Sequence, residues 1–401
     1  MIERTTISFF GRTNAGKSSL INAVCAQDVS IVSEIRGTTT DPVKKVMELL
    51  PIGPVTIIDT PGLDDDSELG KARIEKAMRV LDSTQIAVLV TKTKKLSDTE
   101  KTLLAQFEQR KIPYLIALNK CDEGESTSSC TETALPPEKT LSVSAKTGFN
   151  ISALKEKLGE LYKTAFSSRE KTPLVWDLIP HETTVLLVIP IDDAAPKDRL
   201  ILPQQMILRE LLEYGALSLC CTPDTLSSAI KSLQNPPALV ITDSQAFKEV
   251  NQILPPEIPL TSFSILMSRY KGTLKKSLEG TEKLSSLKNG DKVLISEGCT
   301  HHRQCGDIGT VKLPAWIRAF TKTEPLFEFS SGGTFPQDLS GFSLVIHCGG
   351  CMLNEKEMQN RSNLADTQKV PFTNYGMVIA KMNGILERSL EPLKLSGKTD
   401  I

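Results

Sequence analysis

The sequence is poor in aromatic residues and in histidine, and it carries almost no net charge. Aromatic residues make up 5% of the chain, only four histidines occur, and 47 basic residues face 48 acidic ones. A chain without excess positive charge gives no general argument for binding nucleic acid or an anionic membrane surface. No apolar run approaches the ~18 residues that span a bilayer. Neither nucleic acid nor a membrane is therefore an expected partner.

The nine cysteines do not read as a disulfide framework. The first residues lead directly into a domain without the pattern of a signal peptide, so a cytoplasmic location and reduced thiols are expected. A chain of 401 residues with 40% hydrophobic and 24% charged residues is typical of a folded protein with about two to four domains. We predict three α/β domains, at residues 1–166, 172–262 and 263–401, with a boundary in the stretch 167–173.

A short β-branched and aromatic run, Thr6–Phe10, leads directly into a glycine-rich loop and then a predicted helix. The loop has the pattern GxxxxGK[ST] in the strand–loop–helix setting that the motif requires. Glycines let the backbone wrap a phosphate closely, and amide groups at the helix start supply positive potential. Lys17 is expected to reach the β- and γ-phosphates, and Ser18 to bind Mg²⁺. The predicted phosphate contacts are Gly11, Arg12, Thr13, Asn14, Ala15, Gly16, Lys17, Ser18 and Ser19.

Three further motifs follow, each at the carboxyl end of a predicted strand. Asp59 and Gly62 form a DxxG motif, whose carboxylate holds Mg²⁺ through water and whose glycine amide senses a γ-phosphate. Asp122 of an NKxD motif can accept two hydrogen bonds from guanine, a pattern that adenine does not offer. The third motif, Ser144–Lys146, is expected to contact the guanine carbonyl. The predicted guanine contacts of the last two motifs are Asn119, Lys120, Asp122, Ser144, Ala145 and Lys146. The four motifs together predict a P-loop domain that binds GTP.

The first domain resembles the bacterial GTPases that include Era and the tRNA-modification GTPase. The segment Arg36–Asp41 is similar to their GTTxD switch, which makes Thr39 the expected threonine at Mg²⁺ and the γ-phosphate. Leu63 stands where Ras-like proteins place the glutamine that orients water. Asn14 stands where potassium-activated relatives use an asparagine to ligate K⁺. The resemblance therefore implies slow intrinsic GTP hydrolysis that K⁺ stimulates.

Strand and helix patterns alternate beyond the first domain and predict a small βαβ domain with parallel strands. The predicted strands are Thr183–Ile189, Ala216–Cys220 and Ala238–Thr242, and the predicted helices are Pro203–Glu213 and Thr225–Leu233. Lacking a phosphate loop and paired acids, this domain is assigned by elimination to dimerisation or docking. Cys220 and Cys221 are interpreted as core residues on opposite faces of a strand. No internal repeat stands out, although the last domain continues the same βα rhythm.

The last domain places cysteines and histidines after two predicted strands, Lys292–Ile295 and Ser343–Ile346. The two sets are Cys299 and His301 after the first strand, and His347, Cys348 and Cys351 after the second. Carboxyl ends of parallel strands meet at one edge of a sheet, so both sets can converge on one site. Two interpretations stay open: a closed zinc site of three cysteines and a histidine, and a 4Fe–4S cluster on three cysteines. Spacing alone slightly favours zinc.

A GTPase of this kind joined to CxH and HCxxC motifs resembles the HydF family of FeFe-hydrogenase maturation GTPases over essentially the whole chain. The resemblance implies a GTPase domain, a dimerisation domain that forms a homodimer, and a domain that binds a 4Fe–4S cluster. The implied cluster ligands are Cys299, Cys348 and Cys351, with His301, His347, Glu297 and Asp307 open as fourth ligand or neighbours. It also implies a scaffold that receives a two-iron precursor from radical-SAM maturases and transfers it to apo FeFe-hydrogenase.

Two other classes of GTPase fit parts of the pattern. A ribosome- or RNA-assembly GTPase with a C-terminal zinc module would need a basic, aromatic-bearing appendage. The lysines of the C-terminal half are instead dispersed, and aromatic residues are few. A nickel or cobalt metallochaperone would bring histidine-rich tracts, which four histidines do not provide. The zinc-bearing GTPase is therefore the main alternative.

Overall fold

The computed structural model describes residues 4–26, 33–35, 42–63, 76–123, 135–166, 172–191, 200–298 and 307–395. The chain forms two compact units, one within residues 2–170 and one within residues 171–401. Both units are built from parallel strands and helices, which confirms the predicted α/β class. Within the described stretches, no helix combines the length and apolarity needed to cross a bilayer.

The first unit is built around one seven-stranded sheet. Its strands are β1 Thr5–Gly11, β2 Ser33–Ile35, β3 Val43–Leu49, β4 Gly53–Asp59, β5 Ile86–Thr91, β6 Tyr114–Leu118 and β7 Thr140–Ser142. Its helices are α1 Lys17–Ala26, α2 Asp98–Gln109 and α3 Ile151–Phe166, and residues 76–80 are also helical. The strand order is β2-β3-β4-β1-β5-β6-β7, in which only the β2–β3 and β3–β4 pairs are antiparallel.

The central strands β1 and β5 are buried along their whole length. Such burial is typical of parallel strands that are covered on both faces. Because β1, β4, β6 and β7 point the same way, their carboxyl ends lie along one edge of the sheet. Each of the four sequence motifs follows one of these ends. The fold therefore brings the motifs to a common edge.

The second unit contains two four-stranded sheets, and every pair of neighbouring strands in them is parallel. The strands are β8 Thr184–Val188, β9 Leu217–Cys221, β10 Leu239–Thr242, β11 Leu260–Ser262, β12 Lys292–Glu297, β13 Leu326–Ser331, β14 Leu344–His347 and β15 Phe372–Asn374. The helices are α4 Leu202–Tyr214, α5 Leu226–Ser232, α6 Phe247–Ile253, α7 Phe263–Tyr270, α8 Leu274–Glu282, α9 Leu313–Thr321, α10 Glu355–Thr367, α11 Tyr375–Met382 and α12 Leu386–Leu395. The strand orders are β11-β10-β8-β9 and β13-β12-β14-β15.

The two sheets of this unit share one topology, although no internal repeat was expected from the sequence. In each sheet the first strand lies between the second and the third, and the fourth strand follows the third. The segments 259–279 and 371–391, which close the two sheets, are also alike in sequence. The identical pairs are Pro259/Pro371, Thr261/Thr373, Gly272/Gly384, Leu274/Leu386, Ser277/Ser389, Leu278/Leu390 and Glu279/Glu391. The second unit is thus an internal duplication whose sequence signal survives mainly in these segments.

The two halves of the duplication exchange their last helices. Helix α8, which follows the first sheet, packs on β15 of the second, where the Thr281 and Thr373 hydroxyl oxygens lie 2.6 Å apart. Helix α12 packs in return on β11, and its Leu390 and Leu393 belong to the same apolar core as Leu260. Each sheet is therefore covered partly by a helix from the other half. This exchange joins the two predicted C-terminal domains into one compact unit.

Candidate functional sites

The loop after β1 is shaped for close approach to a phosphate. Gly11 has a φ of +148°, and a Cβ there would lie 2.2 Å from the Val90 carbonyl oxygen. Gly16 has a φ of +89°, and a Cβ there would lie 2.3 Å from the Asn119 amide nitrogen. Only glycine satisfies both the backbone conformation and the space at these positions. The buried Lys17 ammonium donates to the carbonyl oxygens of Gly11 and Arg12, both at 3.0 Å, and so closes the loop.

Ser18 and Asp59 lie together at the start of α1 and the end of β4. The Ser18 hydroxyl donates to Asp59 Oδ2 at 2.5 Å, while Asp59 Oδ1 is buried without a hydrogen-bond partner among the described atoms. Burial raises the pKa of the Asp59 carboxyl, and the Ser18 hydrogen bond and the charge of Lys17 oppose that rise. An oxygen donor pair with one unsatisfied carboxylate oxygen fits the ligands that Mg²⁺ prefers. Thr39, the third predicted Mg²⁺ residue, lies outside the described residues.

The residues after Asp59 bring the DxxG glycine against the phosphate loop. A Cβ at Gly62 would lie 2.1 Å from the Thr13 hydroxyl oxygen, so this approach also requires glycine. The next residue, Leu63, is 2% exposed and packs in an apolar cluster with Phe10 and Leu81. A buried leucine offers no polar atom to a hydrolytic water. Asn14, the residue predicted to ligate K⁺, is exposed in the loop with a φ of +60°.

Asn119 ties the guanine motifs to the phosphate loop. Its amide nitrogen donates to the Ala15 carbonyl oxygen at 3.0 Å, and its amide oxygen accepts from the Ala145 N–H at 3.1 Å. Asp122 is exposed, and a hydrogen bond from Ser144 is the main cause that lowers the pKa of its carboxyl. An ionised, outward-facing carboxylate is the group that a guanine edge would meet. Lys120 and Lys146 lie in the same two loops.

In the second unit, the turn after β14 surrounds the Cys348 sulfur with backbone donors. The Cys348 Sγ accepts from the Gly298 N–H at 3.1 Å and from the Gly350 N–H at 3.4 Å. The Cys348 N–H itself donates to the Ser296 carbonyl oxygen, so the turn continues the pairing of β12 with β14. Two amide donors on one sulfur favour a thiolate, which is the form that binds metals.

Glycines give this turn its shape. Gly350 has a φ of +62°, and a Cβ there would lie 2.4 Å from the Met358 sulfur. A Cβ at Gly298 would lie 2.8 Å from Leu353 Cγ. Cys351 sits in the same turn, and burial raises the pKa of its thiol, against the charge of Lys271 and local backbone hydrogen bonds. The chemistry and the placement of these groups fit an iron–sulfur or zinc site.

His347 is fully buried at the end of β14, and both its ring nitrogens contact protein atoms. Its Nδ1 lies 2.8 Å from the Cys348 carbonyl oxygen, and its Nε2 lies 3.0 Å from Arg361 Nη1. Burial and the charge of Arg361 lower the pKa of the imidazole to about 3. The ring is therefore neutral, and neither nitrogen is directed at a metal in this conformation.

Three polar side chains lie near the same turn. The Tyr375 hydroxyl donates to Glu297 Oε1 at 3.4 Å. Burial raises the pKa of Tyr375 well above its ordinary value, and the nearby charges of Cys348, Glu297 and Asp307 raise it further. Asp307 Oδ2 also accepts from the Thr310 N–H and hydroxyl, both at 2.9 Å. Of the acidic residues considered as a fourth ligand, Asp307 thus already caps the residues that follow it.

The structure brings together only part of the predicted cluster site. Cys299, His301 and His302 lie outside the described residues. Among the residues that the structure does describe, no group of three or more histidine, cysteine or acidic side chains is arranged to hold a metal. The interpretation of Cys220 as a core residue was wrong, because its side chain is exposed, whereas Cys221 packs against the core.

Arg361 is a residue of this site that no sequence motif predicts. It lies inside α10 and contacts His347 rather than a cysteine. The sequence feature that could have indicated Arg361 is its spacing from Glu357. The two residues lie one helical turn apart in a helix that follows the HCxxC motif. Such pairs are usually exposed, so the pattern alone favours a surface position.

Three family models match the chain in succession. Residues 6–120 match a 50S ribosome-binding GTPase model. Residues 174–272 match a hydrogen maturase F dimerization domain, and residues 275–392 match a hydrogen maturase F tetramerization domain. The last two models meet at residues 272–275, between α7 and α8.

Curated relatives match part of the chain. The tRNA modification GTPase MnmE of Legionella pneumophila is 37% identical over 158 residues, which cover 38% of this chain and 34% of the relative. MnmE of Streptococcus mutans is 32% identical over 164 residues, which cover 40% of this chain and 34% of that protein. The chain thus spans about a third of the length of these relatives.

Solved structures match the chain at low TM-scores. The G domain of the T. maritima FeoB iron transporter is 21% identical, with a TM-score of 0.30, over 40% of this chain and 99% of that one. Era in complex with a GTP analogue and 16S ribosomal RNA is 17% identical, with a TM-score of 0.32, over 55% of this chain and 93% of that one. From the family models, the chain belongs to the hydrogen maturase F family and carries a GTPase domain ahead of the dimerization and tetramerization domains.

Proposed function

We propose that the chain is a GTP-hydrolysing scaffold in FeFe-hydrogenase maturation. The first unit hydrolyses GTP with Mg²⁺, and the second unit holds a 4Fe–4S cluster and carries a two-iron precursor to apo FeFe-hydrogenase. The observation that carries this proposal is the Cys348 turn, where two backbone N–H groups point at one sulfur, in a chain with a GTPase domain.

The nucleotide contacts follow from the geometry of the first unit. Lys17 exchanges its two backbone carbonyl partners for the β- and γ-phosphates when GTP binds. Ser18 and Asp59 hold Mg²⁺ together with Thr39. Asp122 accepts the hydrogen bonds of guanine, and Asn119 keeps the guanine loops and the phosphate loop in register.

Potassium supplies part of the positive charge that stabilises the transition state. In this proposal Asn14 binds K⁺ beside the phosphates, because Leu63 is buried and cannot orient water as a glutamine would. Hydrolysis is then slow without K⁺. The exposure of Asn14 at the edge of the loop supports this role.

The cluster is held by Cys299, Cys348 and Cys351. When bound, a 4Fe–4S cluster on three cysteines supplies one iron that can take an exchangeable ligand. The chain's own contribution is a turn with N–H donors to sulfur, closed by glycines against Leu353 and Met358. We place His347 outside the ligand set, because its two nitrogens are already bonded. His301 and Asp307 stay as candidates for the fourth position.

The proposed partners follow from the family. They are a second copy of this chain, the radical-SAM maturases that supply the two-iron unit, and apo FeFe-hydrogenase. The descriptions of the two C-terminal family models as dimerization and tetramerization domains support self-association. A cytoplasmic location, with reduced thiols and no nucleic-acid or membrane partner, completes the proposal.

A zinc-bearing GTPase of RNA or ribosome assembly is the second candidate. It is favoured by one observation, the match of residues 6–120 to a ribosome-binding GTPase model. That match ends inside the first unit, whereas the second unit matches the hydrogen maturase F models.

Activation of a partner tests the scaffold role. The chain is incubated with the radical-SAM maturases, re-purified, and mixed with apo FeFe-hydrogenase, and hydrogen evolution is measured. We expect activation by the wild-type chain and by Cys220→Ser, which alters an exposed cysteine outside the turn. We expect none with Cys351→Ser. Equal activation by Cys351→Ser, or none by the wild-type chain, would contradict the proposal.

A further inference from the structure

The buried contacts of His347 fix which ring nitrogen carries the proton. A guanidinium can only donate hydrogen bonds, so Arg361 Nη1 donates to His347 Nε2 across their 3.0 Å separation. The proton of the neutral ring therefore sits on Nδ1, which donates to the Cys348 carbonyl oxygen 2.8 Å away. The imidazole thus links the guanidinium to the backbone of the cysteine turn.

Arg361 is itself held on several sides. Its Nη2 donates to the Gly332 carbonyl oxygen at 2.6 Å and to Glu357 Oε1 at 2.8 Å. The guanidinium carbon also lies 5.0 Å from the centre of the Phe335 ring. Arg361 is only 5% exposed. One side chain therefore connects α10, the turn after β13 and the end of β14.

We propose that Arg361 is a positioning residue for the turn that holds the cluster, and that it acts through His347 on the peptide group of Cys348. This inference rests on the proposed function, in which the turn binds an iron–sulfur cluster. A peptide group is planar and trans, so holding the Cys348 carbonyl toward His347 also directs the Gly349 N–H to the opposite side. The turn is thereby kept in the conformation in which the Gly350 N–H reaches the Cys348 sulfur.

Removing the guanidinium loosens this turn without touching a cluster ligand. His347 Nε2 becomes a buried acceptor that has lost its donor. The ring is then free to rotate and to release the Cys348 carbonyl. A turn that exchanges between conformations holds its thiolate less firmly, as loss of an outer partner does at other metal sites. The expected effect is a cluster with the same ligands that leaves the protein faster.

The test compares Arg361→Met with the wild-type full-length chain after the same anaerobic reconstitution with iron and sulfide. Both chains should take up the cluster. Arg361→Met should lose its iron to a ferrous chelator about tenfold faster, the factor that loss of one charge-assisted hydrogen bond gives. The EPR g-values of the reduced cluster should not change, because the ligands are the same. Arg361→Lys, which keeps the charge and one set of donors, should recover most of the retention.

Arg388→Met is the matched control. Arg388 belongs to the same unit and also donates to backbone carbonyls, those of Pro255 and Ile258, but it does not contact the cysteine turn. Arg388→Met should therefore release iron at the wild-type rate. If Arg361→Met does not fold, Glu357→Gln is tested instead, because this variant removes the carboxylate charge that holds Arg361. Glu357→Gln should also release iron faster than the wild-type chain.

The outcomes separate the inference from the proposed function. Wild-type release rates in Arg361→Met or Glu357→Gln, or altered g-values in either variant, would overturn the positioning role while the cluster itself stands. A wild-type chain that takes up no iron–sulfur cluster would overturn the proposed function and the positioning role with it.

Discussion

In the proposed function, Lys17 contacts the β- and γ-phosphates of GTP. Its ammonium group donates to two carbonyl oxygens of its own loop, Gly11 and Arg12, in a buried setting. On this proposal a nucleotide replaces these neutral acceptors with charged ones, and the gain is greatest where charge builds up during phosphoryl transfer.

We expect Lys17→Ala to lower the turnover number for GTP by about 100-fold or more, as loss of one transition-state donor does elsewhere. Iron binding should be unchanged, because the cysteine turn belongs to the other compact unit. Lys101→Ala is the control, since Lys101 is exposed and pairs with Asp98 across one helical turn. Phosphate release assays check this prediction, and turnover within twofold of wild type would refute it.

In the proposed function, Asn14 sets the response of GTP hydrolysis to monovalent cations. We expect GTP hydrolysis to be faster in KCl than in NaCl at equal ionic strength, and Asn14→Ala to lose that difference. The variant should keep its GDP affinity, because the Asn119 contacts that join the loops do not involve residue 14. Equal rates in the two salts for the wild-type chain would remove the role of K⁺.

At the scale of elements, the turn after β14 depends on a left-handed glycine. Replacing Gly350 adds the strain of a φ of +62° and a contact 2.4 Å from the Met358 sulfur. We expect Gly350→Ala to lower the stability of the second unit by about 1 kcal/mol or more and to speed iron release. Thermal unfolding and chelator assays measure the two effects.

Gly290→Ala separates strain from crowding. Gly290 has a φ of +81°, but a Cβ there meets nothing within 4 Å. Gly290→Ala should add a backbone strain similar to that of Gly350→Ala but leave the rate of iron release unchanged. Equal release from both variants would mean that the shape of the Gly350 turn does not matter to the cluster.

Strand ends could be read from the sequence, but the packing of helices could not. The predicted strand Ala238–Thr242 located β10 to within one residue, because a buried parallel strand has a continuous apolar pattern. The hydrogen bond from Arg361 to His347, in contrast, joins two residues that do not belong to a common sequence motif. Periodicity shows which face of a helix is apolar, and it does not show which sheet that face covers.

At the scale of the whole molecule, the second unit is a duplication with exchanged helices. The α/β class could be predicted from local patterns. The exchange could not, because α8 and α12 pack on strands whose partners are set by long-range contacts. The predicted boundary at 262–263 falls between β11 and α7, where the Ser262 side chain caps the helix.

This exchange predicts the behaviour of fragments. Residues 263–401 alone would expose the apolar faces of α7 and α12. These faces include Phe263, Leu266 and Leu393, which pack in the apolar core of the sheet β8–β11. We expect this fragment to lack a cooperative thermal transition by circular dichroism, and residues 171–401 to unfold in one step. Cooperative unfolding of the shorter fragment at the same temperature would contradict the exchange.

The central claim is that this GTPase carries an iron–sulfur cluster on the Cys348 turn. The most direct test is iron, sulfide and zinc analysis of the anaerobically purified chain, with EPR of the dithionite-reduced protein. The claim predicts about four irons per chain and a low-spin signal that Cys348→Ala abolishes. One tightly bound zinc after iron–sulfide reconstitution, with no EPR signal, would contradict it.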